Sequence, residues 1–246
     1  MAGLTAAERY AFDVNGYLVR RGALTPAEVA ALNKAVDALR LPPPRDSITS
    51  QRFSGHLHRS PAFVALLDHP AVIDVLVELC GPVLRLDHSY GIVMAPGTAG
   101  LALHGGGTPF DPAQFYVVNG GRISCGLVAV QWCLVDHPPG DGGFTCVPGS
   151  HKASFARPDP TPPELAVDVA LRAGDVMLFT EALTHGTSPW RATHERRTLL
   201  YKYSPGNSSW GKDETLPREL APMVTERQRL LFEPPYVAYR RPVIGG

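Results

Sequence analysis

The sequence predicts an α+β domain, mainly β, in which helices near the N-terminus pack on a sheet sandwich or barrel. Three observations point there. Capping-box signatures fall in the first third of the chain, β-branched apolar runs follow Pro82, and 24 glycines and 24 prolines are scattered among those runs without a repeat. At 246 residues the chain is long enough for a sizeable core, and no linker divides it, so residues 1–246 are read as one domain.

The elements follow in chain order. Thr5-Ala-Ala-Glu8 and Thr25-Pro-Ala-Glu28 both fit the capping box, in which the Thr hydroxyl and the Glu carboxylate each satisfy a free backbone N–H at a helix start. Pro26 presets the backbone at the first helical position. The second helix carries Val29, Leu32, Val36 and Leu39 on one face and ends before Pro42-Pro43-Pro44. Between the two helices, residues 16–22 read as a short strand; residues 70–79 read as a further helix stopped by Gly81. Strands are expected over residues 83–93, 123–135, 165–171, 176–180 and 197–203, with a Pro-rich surface loop over 153–163. Residues 217–229 read as a last helix, closed by Pro234-Pro235.

Composition narrows the partners. Lys plus Arg equals Asp plus Glu at 23 each, which argues against wrapping a nucleic-acid polymer. No apolar run approaches the roughly 20 residues that span a bilayer, so no membrane partner is expected. The first ten residues lack a basic and apolar leader pattern, and a cytoplasmic location is the expectation. Cys80, Cys125, Cys133 and Cys146 sit in apolar runs without a paired spacing and read as small core residues.

Nine histidines invite a search for metal ligands. His56, His58 and His69 read as solvated or capping, His88 and His137 as structural, and His151 and His194 as hydrogen-bonding residues. Two stand apart. His104 lies at the mouth of an apolar strand before Gly105-Gly106-Gly107, and His185 lies just beyond the strand that Gly174-Asp175 starts. Thr187 and Arg196 follow His185, and a hydroxyl with a guanidinium suits a bidentate carboxylate. Gln131 and Trp132, on the long central strand, either face the same cavity or belong to the core.

Residues 12–19 with 24–29, Asp141-Gly-Gly-Phe144 with residues 147–152, the strand 174–179, and His185 followed by Arg196 together resemble the phytanoyl-CoA dioxygenase family. The resemblance runs from about Tyr10 to Tyr203. It implies a double-stranded β-helix, the cupin-like jelly roll, and an oxidoreductase that uses Fe(II), 2-oxoglutarate and O2 on a small-molecule substrate, releasing succinate and CO2, as in natural product biosynthesis. His104 and His185 resemble the first and last members of the iron-binding triad. Arg196 resembles the arginine that pairs with the distal carboxylate of 2-oxoglutarate, Thr187 the hydroxyl residue that assists it, and Gln131 and Trp132 are candidates for the same cofactor cavity.

One departure matters for the chemistry. The family's His-x-Asp pattern would place a carboxylate at position 106, and this chain has Gly106 there. A glycine has no side chain to ligate with. A hydroxylase with a non-standard third ligand would recruit a carboxylate nearby, with Asp111 the nearest on the C-terminal side. A second resemblance, to iron/2-oxoglutarate halogenases that carry glycine or alanine there, implies that chloride fills the vacancy and that the enzyme chlorinates an unactivated C–H bond; this is the reading the sequence favours, with the hydroxylase as its alternative. That branch includes enzymes acting on free nucleotides, which implies phosphate contacts from Lys152, Arg122, Arg191 or Lys202 and base stacking on Phe110, Tyr116, Phe144 or Trp210. A jelly-roll binding protein without turnover is the non-enzymatic reading. The loops 105–119 and 153–163 are the candidate lids.

Overall fold

Both capping boxes form. In this computed structural model, which describes residues 3–45, 49–211 and 216–244, Thr5 Oγ1 accepts from the Glu8 amide at 3.2 Å while the Glu8 carboxylate accepts from the Thr5 amide at 2.9 Å. Thr25 and Glu28 repeat the exchange. Met1 and Ala2, at the start of the stretch read for a leader, lie outside the described residues.

These boxes open α1 (Ala6–Asn15) and α2 (Pro26–Ala38), with β1 (Tyr17–Arg20) between them. Next come β2 (Ser50–Phe53), α3 (Pro61–Val64), α4 (Ile73–Cys80), β3 (Arg85–Met94), β4 (Leu101–His104), β5 (Tyr116–Asn119) and β6 (Arg122–Cys125). The chain continues through β7 (Val128–Cys133), β8 (Gly143–Cys146), β9 (Val167–Asp168), β10 (Val176–Thr180), β11 (His185–Ser188), β12 (Arg196–Ser204) and α5 (Glu226–Leu230).

Six strands form one antiparallel sheet in the order β1-β10-β7-β12-β3-β2, four form a second in the order β4-β11-β8-β9, and β5-β6 is a separate hairpin. The two sheets face each other across an inner cluster in which Phe144 and Cys146 of the small sheet meet Ala129, Cys133, Met177, Phe179 and Leu200 of the large one. On its outer face the large sheet presents Val130, Trp132, Leu199, Tyr201 and Tyr203 to Leu32, Phe63 and Leu76 of the helical layer. Tyr201 and Tyr203 tie the layers by donating to the carbonyls of Phe63 and Leu67 at 2.8 and 2.7 Å. This is the expected α+β jelly roll with packed N-terminal helices.

Several boundaries differ from the sequence reading. The run 123–135 breaks into β6 and β7 at Gly126, whose amide donates to Phe115 O at 2.9 Å. A Cβ there would stand 2.6 Å from Ala113 O, so the preceding loop packs where a continuous strand would carry a side chain. Of the run 165–171 only Val167 and Asp168 pair in a strand; residues 163–165 form a 3₁₀ turn and Leu171 joins an isolated bridge to His137. The helix expected over 217–229 is confined to Glu226–Leu230, because Thr225 and Gln228 form a third capping box that starts it late. All four cysteines are buried thiols. No helix among the described residues is long and apolar enough to cross a membrane.

Candidate functional site

The two singled-out histidines face each other. β4 and β11 run antiparallel with His104 opposite His185, and the ring centroids are 4.3 Å apart. His185 and Thr187 also lie opposite Cys146 and Phe144, which belong to the inner cluster, so His104, His185 and Thr187 project between the sheets. His104 Nδ1 is 3.0 Å from Ala102 O and His185 Nδ1 is 2.7 Å from Leu183 O. A carbonyl only accepts, so each Nδ1 carries the proton and each Nε2 keeps its lone pair for a metal. His185 is buried against Phe179 and Phe144, and that burial holds its pKa below the ordinary value.

Position 106 is a glycine in its backbone as well as its side chain. Its φ is +126°, a conformation L-residues rarely adopt, and a Cβ built there would meet Thr184 Oγ1 at 2.9 Å. Asp111 does not substitute: it is exposed, and its Oδ1 accepts from the amides of Ala113 and Gln114 at 2.7 and 3.2 Å in an Asx turn. The carboxylate beside the histidines is Glu181, which the sequence reading passed over. Its Oε2 is 4.0 Å from His185 Nε2, and its Oε1 is 2.9 Å from Lys202 Nζ, all three side chains being buried. Burial pushes the Glu181 carboxyl up, but Lys202, His185 and His104 outweigh it and hold the group below the usual carboxylate range. Its one sequence signal is an acid placed four residues before His185 at the end of an apolar strand. Among the described residues no three His, Cys, Asp or Glu side chains are already gathered at metal-holding distances, and Glu181 stands just outside the pair.

Strand alternation on β12 directs Leu199, Tyr201 and Tyr203 to the helical layer and Arg196, Thr198, Leu200 and Lys202 into the interior. Arg196 is 2% exposed and has no carboxylate partner among the described residues. Its Nη1 lies 3.2 Å from Met94 Sδ, and its Nε has no partner. Burial lowers its pKa to about 10. Gln131 Nε2, Thr198 Oγ1 and His137 Nδ1 are also buried without partners. Gln131 sits opposite Met177 and Leu200, both members of the inner cluster. Leaving a guanidinium buried and unpaired costs several kcal/mol unless an anion meets it (~3–5 kcal/mol for a broken pair). Fe(II) and 2-oxoglutarate fit this donor set: two Nε2 lone pairs for the metal, and a planar fork with neighbouring polar atoms for a carboxylate.

Trp132 does not face the cofactor cavity. It lies on the other face of β7, edge-on to His69 at 5.1 Å in the outer core, because adjacent strand residues face opposite ways. His56 is not solvated either; it is buried edge-on to Phe53, Phe63 and Tyr201. His151 donates from Nε2 to Asp13 O at 3.1 Å and packs on Tyr116, which turns its ring toward α1. His137, read as structural, borders the Arg196 end: a Cβ at Gly143 would lie 3.5 Å from His137 Nδ1 and 3.6 Å from Arg196 Nε.

The two candidate lid loops meet over the end of β4. Arg157 donates to Leu103 O at 3.3 Å, and a cavity of ≈ 380 Å³ between the loops is lined by Gly106, Thr108, Phe155, Arg157 and Thr184. Of the four candidate phosphate cations, Lys152 pairs with Asp13, Arg191 reaches Gly140 O, Arg122 lies on the β5–β6 hairpin, and Lys202 is at the site. Trp210 stacks on His88 at 5.6 Å, with Lys202 Nζ 5.9 Å from its ring. Phe144 packs against His185, Tyr116 donates to Asp13, and exposed Phe110 stacks on Phe115.

The profile of the family Phytanoyl-CoA dioxygenase (PhyH) matches residues 12–198. No curated protein matches the sequence. Among solved structures, HygX from Streptomyces hygroscopicus with nickel, 2-oxoglutarate and hygromycin B bound is 27% identical with a TM-score of 0.75, over 85% of this chain and 90% of that one. The same protein with iron bound is 26% identical with a TM-score of 0.74, over 89% of this chain and 94% of that one. SnoN, a non-heme α-ketoglutarate dependent epimerase from nogalamycin biosynthesis, shares the fold at 22% identity and a TM-score of 0.63, over 82% and 80% of the two chains. A match across three quarters of the sequence, on a jelly roll whose inner face holds the histidine pair and the unpaired arginine, makes this chain a member of the phytanoyl-CoA dioxygenase family of Fe(II)/2-oxoglutarate-dependent oxygenases.

Proposed function

We propose that the protein oxidises an unactivated C–H bond of a small natural-product molecule, consuming 2-oxoglutarate and O2 and releasing succinate and CO2. The observation that carries this reading is Arg196, a buried guanidinium without an anion on the same interior as the histidine pair. His104 and His185 hold the metal through Nε2, their Nδ1–H groups being fixed on carbonyls. Arg196, assisted by Thr187 and Gln131, takes the distal carboxylate of 2-oxoglutarate and so orients the cofactor. Phe144 and Phe179 wall His185 off from water. Metal and cofactor together supply the oxidising chemistry, and the protein decides which substrate atom is presented. The cavity between loops 105–119 and 153–163 is the substrate's approach, closed by movement of those loops. HygX, which has been solved with hygromycin B, supports a natural product as the substrate class.

The test is anaerobic addition of Fe(II) and 2-oxoglutarate followed by O2. A visible charge-transfer band and O2-dependent succinate are expected, both lost in His185→Ala. Folded wild-type protein without band or succinate overturns the reading.

A second reading, chlorination, is favoured by Gly106, which has no side chain to place a carboxylate beside the histidines where the family's His-x-Asp pattern would. A nucleotide substrate for it is favoured by the stacked Tyr90, His88 and Trp210, with Arg52 3.6 Å over Tyr90 and Lys202 alongside. Chlorinated product that grows with chloride would support this reading. Hydroxylated product alone across the chloride range removes it.

A further inference from the structure

The carboxylate absent at position 106 has a counterpart on a different strand connection. We propose that Glu181 is the third protein ligand of the metal, completing a two-histidine, one-carboxylate set in which the acid precedes the distal histidine by four residues. The inference rests on the oxygenase reading above for the identity of the metal, and on the following geometry for the ligand.

Glu181 is fixed in place from both sides. Its amide donates to Leu127 O at 3.0 Å, and Leu183 N donates to Thr180 O at 2.9 Å, so the turn from β10 to β11 holds it at one position beside the histidines. Lys202 Nζ, 2.9 Å from Oε1, leaves Oε2 as the atom turned to His185. Oε2 faces the Nε2 edge of His185 at 4.0 Å, the edge that the Nδ1 contact to Leu183 O leaves free, and both side chains are buried. A cation between an imidazole nitrogen and a carboxylate oxygen so placed is bound by both. Adjacent ligands of a metal about 2.1 Å away stand about 3 Å apart, so Oε2 needs to close by about 1 Å, a side-chain adjustment.

Gly106 belongs to the same arrangement. At φ +126° a side chain there would be strained and directed at Thr184 Oγ1, so position 106 cannot offer a second carboxylate to compete with Glu181. Lys202 then acts as a positioning residue, keeping the carboxylate ionised and in one orientation, as partners of metal-ligating carboxylates do.

Co(II) is the probe, because its affinity is read by equilibrium dialysis and its visible bands report the ligand set without turnover. Wild-type protein is compared with Glu181→Gln and with the double variant Glu181→Gln/Lys202→Gln, which removes both buried charges and keeps the fold free of an unpaired one; unchanged thermal melting checks each. The expected result is binding weaker by at least about 100-fold in both variants, beyond the 10–100-fold that losing a ligand's partner costs. The visible Co(II) bands of the variants should shift from those of the wild type, since one carboxylate has left the ligand set. Folded variants with wild-type affinity and spectrum overturn the assignment. Wild-type protein that binds Co(II) but forms no band with Fe(II) and 2-oxoglutarate defeats the oxygenase reading alone, and the variants still decide the ligand. A wild type that binds no Co(II) overturns both.

Discussion

Arg196 and Lys202 are buried cations on the same inner face of one strand, six residues apart, and they are treated differently. Lys202 is met by Glu181 at 2.9 Å, so its charge is neutralised by the protein itself. Arg196 is at least as buried and has only a thioether within reach of its Nη1 and nothing on its Nε. Burial pulls at both. It lowers the Arg196 pKa to about 10, whereas for Lys202 the pull of burial is outweighed by the Glu181 carboxylate together with Tyr90, and the pKa is raised. The difference separates structure from recruitment: one end of the strand is complete when the chain folds, and the other is complete when an anion arrives.

Breaking the complete end should have the largest effect on stability. Lys202→Met leaves Glu181 buried without its cation and is expected to cost about 3–5 kcal/mol in urea unfolding. The double variant Glu181→Gln/Lys202→Met, with no charge left to strand, should recover most of that loss. A single variant as stable as wild type would mean the pair contributes nothing. Breaking the incomplete end should do the opposite to the apo protein. Arg196→Leu removes an unpaired buried charge, so its melting temperature without cofactor is expected to stay level or rise. Its affinity for 2-oxoglutarate should fall by 2–5 kcal/mol, on the order of 30-fold to several thousand-fold, as measured by calorimetry. Binding within threefold of wild type would remove Arg196 from the cofactor site.

What was legible in the sequence was local or carried by motif. Thr5 with Glu8 and Thr25 with Glu28 announce their helices because a capping box is complete within four residues. The strand 176–180 is legible because Gly174 and Asp175 punctuate its start. The geometry between strands was not. Every residue of β7 is buried, so no polar alternation marks which face Gln131 takes and which Trp132 takes; one helical layer covering the sheet hides the difference. Glu181 reads as a lone acid because Lys202 lies on β12, beyond β7 in the large sheet, and His185 on β11 of the small sheet, and only the folded sheets bring the three together. Asp111 was nearer in sequence and is farther in function, since an Asx turn consumes its oxygen. At Gly106 the sequence shows a missing side chain, while the reason a carboxylate does not belong there is a backbone angle.

The smallest expected effect sharpens the contrast through an imidazole. His137 borders Arg196, and burial, followed by the charges of Arg196 and His194, pushes its pKa down to about 2. In the unfolded chain the same group titrates near 6.5. Below pH 6.5 the unfolded state therefore takes up a proton that the folded state refuses, and stability falls as the pH falls, by about 1.4 kcal/mol per pH unit for this one group. Above pH 6.5 it contributes no slope. His56, pushed down to about 4 by burial in the helical layer, adds a slope of the same sign that ends near its own folded pKa. Unfolding free energies of wild type, His137→Leu and His56→Leu between pH 7 and 5 should show one proton's slope lost in each variant. Below pH 4 they should part, because only His137, held down by Arg196 as well as by burial, still refuses its proton there. An unchanged slope in His137→Leu would mean that the imidazole is not held neutral, and that the Arg196 end already contains the compensating charge that the comparison with Lys202 says it lacks.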